Sequence, residues 1–305
     1  MAYKRAYEKA YRSIKDIRYE DVLKGVIDIH IHMGPDVIPR RMDMWDIAKE
    51  ARAAGMAAVV GKPFAYCNAP LAKLTEIMVP GIRVFGGTML DLPVGGYNPR
   101  AVEAGIKLGS KIIWGPVFDS ATTVKLRQKV SWYGVIGTVQ EEVGLRPVDE
   151  KGQIRQEVKD IFELIAEAGD VVLGTGHQFP EDCFKFIEAA KGAGIQHVFV
   201  THPHAPVIGA TIEDQKEMIK LGALLEYVWC NATPYYDRTD PNEYVDAVKE
   251  LGASNIIMST DYGQPVNPSP VEGMRDYILT MMTKGITQEE IDIMCIKNPA
   301  MILGI

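Results

Sequence analysis

The feature that most constrains this chain is an alternation. Short, nearly unbroken apolar runs rich in β-branched residues occur at 26–31, 57–61, 82–88, 111–115, 171–176, 197–201, 223–227 and 256–260. Helical patterns fill the intervals, at 43–54, 69–78, 99–108, 153–168, 180–191, 211–221, 241–251 and 270–283. Strands without a polar face belong to a parallel sheet covered on both sides. Several helical patterns open with Pro and close with Gly, the usual asymmetry of helix ends. Strand–helix units repeated in this way predict an α/β fold, a closed (β/α)8 TIM barrel forming a single domain over 1–305. An open doubly wound sheet is the main rival, but no G-x-G-x-x-G turn follows the first strand.

One interval breaks the repeat. The gap between Lys111 and Val171 is nearly double the others, so residues 116–152 read as an insertion in the loop after strand four. It contains Trp132-Tyr133-Gly134 and the turn-like Asp149-Glu150-Lys151-Gly152. Such a segment lies over the top of a barrel, either as a binding lid or as a hairpin that only covers apolar surface. Residues 1–24 carry an N-terminal helix whose Tyr3, Tyr7, Tyr11 and Ile14 share one face, suited to the barrel bottom or a second subunit. Residues 287–305 form a helical tail opened by the capping box Thr287-Gln288-Glu289-Glu290.

Charge and cysteine content narrow the partners. With 33 Lys and Arg against 40 Asp and Glu, the net charge of −7 argues against a nucleic-acid backbone partner. Cys67, Cys183, Cys230 and Cys295 are dispersed singly, which fits neither a disulfide framework nor a zinc knuckle and suits a reducing compartment. No signal peptide or membrane-length apolar run is present, so a cytoplasmic protein without a membrane partner is expected. A small-molecule substrate is the expected partner, and a homo-oligomer stays open.

Chemistry concentrates at the predicted strand ends. Asp28-Ile29-His30-Ile31-His32 closes strand one, and alternation puts His30 and His32 on one face with Asp28 a step below as a carboxylate that orients a ligand. His177 ends strand five, His202 ends strand six and Asp261 ends strand eight. Side chains at the C-terminal ends of barrel strands converge on one pocket. His197 opens strand six and is assigned to the opposite face. Several neutral imidazoles and a carboxylate suit a divalent ion, zinc first, with manganese, iron or nickel as contenders. Such an ion activates water, and Asp261 is placed to take its proton.

This combination resembles the amidohydrolase superfamily of metal-dependent hydrolases, as does the closing Asn298-Pro299-Ala300 with Leu303-Gly304. Gly176-His177, Thr201-His202-Pro203 and Asp261-Tyr262-Gly263-Gln264 resemble a branch of unassigned substrate. The resemblance implies that His30, His32, His177 and His202 are metal-ligand positions and that Asp261 is a ligand or general base. It also implies an enzyme acting on amide, lactone or related C–N or C–O bonds. One departure stands out: strand four ends Ile112-Ile113-Trp114-Gly115-Pro116, without the Lys or Glu that bridges two metals in many members. Lys62 and Glu226 are the substitutes within reach, which leaves one or two ions open.

Substrate contacts are expected from Lys62 and Arg40 toward an anionic group, and from His204, Glu226 and Gln264. Arg41, Tyr262 and Asn267 are weaker candidates, and a loop role without chemistry is the alternative for His204. Two other functions fit the same residues. One is a metal-dependent decarboxylase or hydratase, the other a non-catalytic metal-containing barrel that binds ligand.

Overall fold

A computed structural model describes residues 14, 15, 17–127 and 144–305. The strands are β1 (Ile27–Ile31), β2 (Ala58–Gly61), β3 (Arg83–Phe85), β4 (Gly87–Met89), β5 (Ile112–Trp114), β6 (Val172–Gly174), β7 (Val198–Val200), β8 (Leu224–Val228) and β9 (Ile256–Ser259). All pair in parallel, as β1-β2-β3 and as β4 through β9 in order. The ring closes through main-chain hydrogen bonds between β1 and the end of β9. Asp261 N–H donates to His30 O at 2.8 Å and His32 N–H to Tyr262 O at 2.7 Å. The architecture is a (β/α)8 barrel.

The third predicted strand is divided, with β3 paired to β2 and β4 to β5. The division falls at Gly86, where a Cβ would lie 2.6 Å from Asn68 Oδ1. Asn68 fills the seam: its Oδ1 accepts from Gly87 N–H at 2.8 Å and its Nδ2 donates to Gly61 O at 3.0 Å. One side chain thus satisfies polar backbone that the split would otherwise strand.

The barrel interior is filled by Ile27, Ile29, Ala58, Val60, Met89, Ile112, Trp114, Val172, Phe199 and Ile257. Gly174 has no alternative there, because a Cβ would sit 2.6 Å from the Trp114 ring and 2.8 Å from Phe199. The tail closes the floor: Ile302 and Leu303 join this cluster, and Asn298 Nδ2 donates to the carbonyls of Ala253, Ser254 and Ile256. The capping box at Thr287 and Glu290 is formed as expected. A second apolar layer separates the barrel from its helices.

Within the insertion, the helix Ala121–Arg127 was not foreseen. Residues 128–143, including Trp132-Tyr133-Gly134, lie outside the described residues, as do Tyr3, Tyr7 and Tyr11 of the N-terminal stripe. Ile14 is half-buried and packs against the outer core. Among the described residues no helix is long and apolar enough to cross a membrane.

Candidate metal centre and active site

The first strand carries an extra residue. Asp28 pairs with Val59 but Ile31 with Gly61, so β1 gains one position over β2 between them. A bulge of this kind switches the faces. Ile27 and Ile29 point into the barrel, yet so do His30 and His32, which line a cavity of about 230 Å³. The expectation that Asp28 shares their face is therefore corrected. Its carboxylate accepts from Thr260 Oγ1 at 2.5 Å and from the N–H groups of His30 and Thr260, which clamps β1 to β9. Burial pushes its carboxyl up to about 7 against those hydrogen bonds.

Asp261 stands between the two histidines. Its Oδ1 lies 3.2 Å from His30 Nε2 and 2.9 Å from His32 Nε2, and these three atoms form a group able to hold a cation. The opposite nitrogens are occupied: His30 Nδ1 is 3.1 Å from both oxygens of Glu226, and His32 Nδ1 is 3.0 Å from Lys62 O. Those acceptors take a hydrogen bond from each Nδ1 and turn each Nε2 into the cavity, where it would be the ligand atom for an ion.

The other wall repeats the arrangement. His177 Nδ1 lies 2.7 Å from Thr123 Oγ1, and His177 Nε2 lies 3.2 Å from His202 Nε2. Two imidazole nitrogens on one tetrahedral ion at the usual bond length stand about 3.3 Å apart, so this spacing fits shared ligation. His202 stacks on His30 with ring centroids 6.1 Å apart, which brings both groups to one cavity. His202 and Asp261 also hold left-handed backbone, at φ 28° and 54°. Such conformations are uncommon outside glycine and gather at functional sites. The donor chemistry, the single-sided hydrogen bonding and the unpartnered His30 Nε2 all fit a divalent ion.

Without an ion, charge is balanced by a proton. Burial opposes an imidazolium at His30, but Asp261 and Glu226 outweigh it and raise its pKa to about 9. Burial, then Arg40, lowers His32 to about 3. Burial likewise drives His177 and His202 well below the ordinary histidine value, helped by Lys62 and by His177 respectively. Burial also opposes a charged Asp261, yet His30 and His32 hold its carboxyl well below the usual range.

Lys62, Arg40 and Gln264 line the same cavity. Burial lowers the Lys62 ammonium. Gln264 is tethered by its Nε2 to Asp261 O at 2.7 Å. Glu226 does not line it and acts through His30. His204 is placed elsewhere: the left-handed His202 and Pro203 turn the chain outward, and its ring stacks on Tyr227 at 4.4 Å and meets Tyr244 edge-on. Burial lowers its pKa to about 3. Tyr262 and Asn267 also stay out of the cavity, the first against Gly273 and the second bonded to Gln264. Arg41 donates to Pro265 O. His197 lies at the far end, at the start of β7.

Several contributors went unrecognised in the sequence. Thr123 belongs to the insertion, as do Val117 and Phe118, which with Phe64 and Ile38 make the apolar wall. Asp91 anchors that segment by accepting from the N–H groups of Val117, Phe118 and Asp119. A carboxylate two residues past β4 was the available signal, by the strand-end rule that selected Asp261.

The chain belongs to a family of unknown function, DUF6282. The family model matches residues 25–226, which include every candidate metal position except Asp261. No curated protein matches the sequence. Among solved structures, the organophosphorus hydrolase from Deinococcus radiodurans is 14% identical, with 93% of this chain and 94% of that one covered at a TM-score of 0.57. A phosphotriesterase homology protein from Escherichia coli, complexed with phosphate in its active site, is 16% identical over 92% and 98%, at 0.56. An amidohydrolase is 13% identical over 92% and 74%, at 0.54. At such identities the likeness is one of fold, and that fold is the (β/α)8 barrel expected from the alternation of strands and helices.

Proposed function

We propose that this protein is a metal-dependent hydrolase acting on an amide, lactone or related C–N or C–O bond of a small molecule. His30, His32 and Asp261 would hold one ion, and His177 with His202 would complete its shell or hold a second. A bound ion of the zinc type lowers the pKa of its water to about 7 and polarises a carbonyl or phosphoryl oxygen. Zinc is the first candidate, with manganese, iron or nickel as contenders.

The observation that carries the reading is the orientation of the imidazoles. His30 and His32 each engage an acceptor through Nδ1, His177 meets the Thr123 hydroxyl through its own, and all three turn Nε2 to one cavity, where Asp261 Oδ1 meets two of them. Glu226 and Thr123 are the groups that fix those rings. Asp261 is the base: it takes the proton of the attacking water and returns it to the leaving nitrogen or oxygen. The apolar wall of Phe64, Val117 and Phe118 limits solvent at that step. Val117, Phe118 and Thr123 of the insertion thus contribute to the site, and we assign 116–152 a binding role within a single domain. The hydrolase descriptions of the similar structures support the same reaction class.

The test is metal analysis of the purified protein together with turnover of an ester, lactone, amide and phosphoester panel. Asp261→Asn is expected to fold and to lose turnover by roughly a hundredfold or more, the scale of an acid–base group. Full metal occupancy with no turnover in the parent, or release of CO2 or reversible water addition in place of cleavage, would replace this reading.

A further inference from the structure

His204 is the strand-end histidine that the metal cavity leaves out, and its surroundings form a second cavity. That space of about 320 Å³ is lined by the helices Ile212–Lys220 and Pro241–Leu251 and shares no lining residue with the first. The polar groups of its inner wall are matched, with one exception. Tyr227 Oη donates to Gln215 Oε1 at 2.5 Å, Gln215 Nε2 to Ala210 O at 3.2 Å, and Tyr244 Oη to Val228 O at 2.9 Å. Both ring nitrogens of His204 are buried and meet no donor or acceptor among the described residues. Its ring is held by the stack on Tyr227 and the edge contact with Tyr244. Buried polar atoms left unmatched are costly and rare in folded proteins.

The mouth carries charge of one sign. Glu243, Asp246 and Glu250, spaced by three and four along the helix Pro241–Leu251, line it and are exposed. Glu250 is answered by Lys216 at 2.6 Å, which Glu213 shares at 2.9 Å, and Asp246 by Lys249 at 3.8 Å. Glu243 has no ion pair among the described residues, so these groups keep an excess of negative charge. The unmatched imidazole behind that rim separates the cavity from an ordinary acidic surface.

We propose that this cavity is a second ligand site and takes a small amino alcohol, whose hydroxyl meets a ring nitrogen of His204 and whose ammonium meets Glu243. A hydroxyl both donates and accepts, so it matches the imidazole whichever nitrogen carries the proton. The carbon chain between the two groups lies on Ala210, Ile212 and Ala247. An amine without the hydroxyl leaves the ring unmatched, and a diol leaves the carboxylate unmatched.

The test titrates zinc-loaded protein, isotope-labelled at histidine nitrogen, with α,ω-aminopentanol at low salt. NMR reads the ring-nitrogen shifts of His204, assigned by their loss in His204→Phe. Pentylamine and α,ω-pentanediol are the controls, lacking the hydroxyl and the ammonium respectively. The amino alcohol should move the His204 nitrogens and bind about threefold tighter or better than either control. His204→Phe keeps the stacked ring and should erase the advantage over pentylamine while preserving that over the diol. Glu243→Gln should do the reverse. Because His204→Phe removes two unmatched polar atoms, its melting temperature should equal or exceed the parent's. A fall would show those nitrogens already held within the fold and would overturn the proposal. So would His204 nitrogens that do not move, or a preference for the amino alcohol that survives both variants, since binding then lies elsewhere.

Discussion

Glu226 holds His30 from behind, with both carboxylate oxygens 3.1 Å from the imidazole Nδ1. The pair reaches from strand β8 past β9 to strand β1, and neither residue is solvent-exposed. Glu226 sits one residue before Tyr227, whose side chain faces the outer layer, so strand alternation alone aims the carboxylate inward.

Glu226→Gln should therefore weaken metal binding about 10- to 100-fold, the usual scale for a partner that orients a ligand. Competition titration with a chromogenic chelator measures it. An unchanged affinity would remove Glu226 from the centre.

Thr123 gives a separable case, because it reaches His177 from the insertion. Thr123→Val is expected to lower metal affinity roughly tenfold and to leave a buried ring nitrogen without a partner, at a cost of about 1–3 kcal/mol. Thr123→Ser keeps the hydroxyl and should restore both properties. Chemical denaturation and metal titration of the two variants decide; equal behaviour of Val and Ser would show that the contact does not matter.

His202→Ala and His197→Ala form a matched pair. The first should lose bound metal and turnover together, while the second should retain metal, since His197 is at the opposite end of the barrel. Elemental analysis after dialysis reads the difference. Equal metal content in His202→Ala and the parent would place His202 outside the ligand set.

The metal-free protein should become less stable as pH rises through 9. His30 has its folded pKa raised from 6.5 to about 9, so its contribution is fully present below about 6.5 and is lost as pH passes 9. Asp28 and Asp91, both raised to about 7 chiefly by burial, act in the same sense at lower pH. A ligated His30 is neutral, so loaded protein should show a flatter profile between pH 7 and pH 9, and loading near neutral pH should release about one proton. Thermal melts across that range test the first statement, and calorimetry in buffers of different ionisation enthalpy tests the second.

Asn68 tests the fold independently of the site. Asn68→Ala strands Gly87 N–H and Gly61 O at the seam between β2 and β4, and should destabilise the protein by about 1–3 kcal/mol. Metal affinity should stay at the parent level, because Asn68 touches no candidate ligand. A melting temperature like the parent's would mean that water replaces the amide.

What could be read from sequence followed from local rules. The order of strands and helices was legible because each apolar run and each capped helix announces itself within a few residues. Even the split of the third strand alters only Gly86, since both halves keep the expected direction. His204 escaped the same logic: two residues past His202 in sequence, it is turned out of the cavity by a left-handed residue and a proline. Asp28 escaped it too, because one extra residue in β1 reverses which side chains face inward.

The sequence by itself determined the barrel, the histidines at its strand ends and the carboxylate after the last strand, because strand period and chain direction are properties of neighbouring residues. Only the tertiary structure decided which nitrogen each ring offers, that Thr123 and Glu226 do the fixing, and that His204 is turned out of the cavity. Those are relations between residues far apart in the chain, and they are set by packing and burial, which no short stretch of sequence contains.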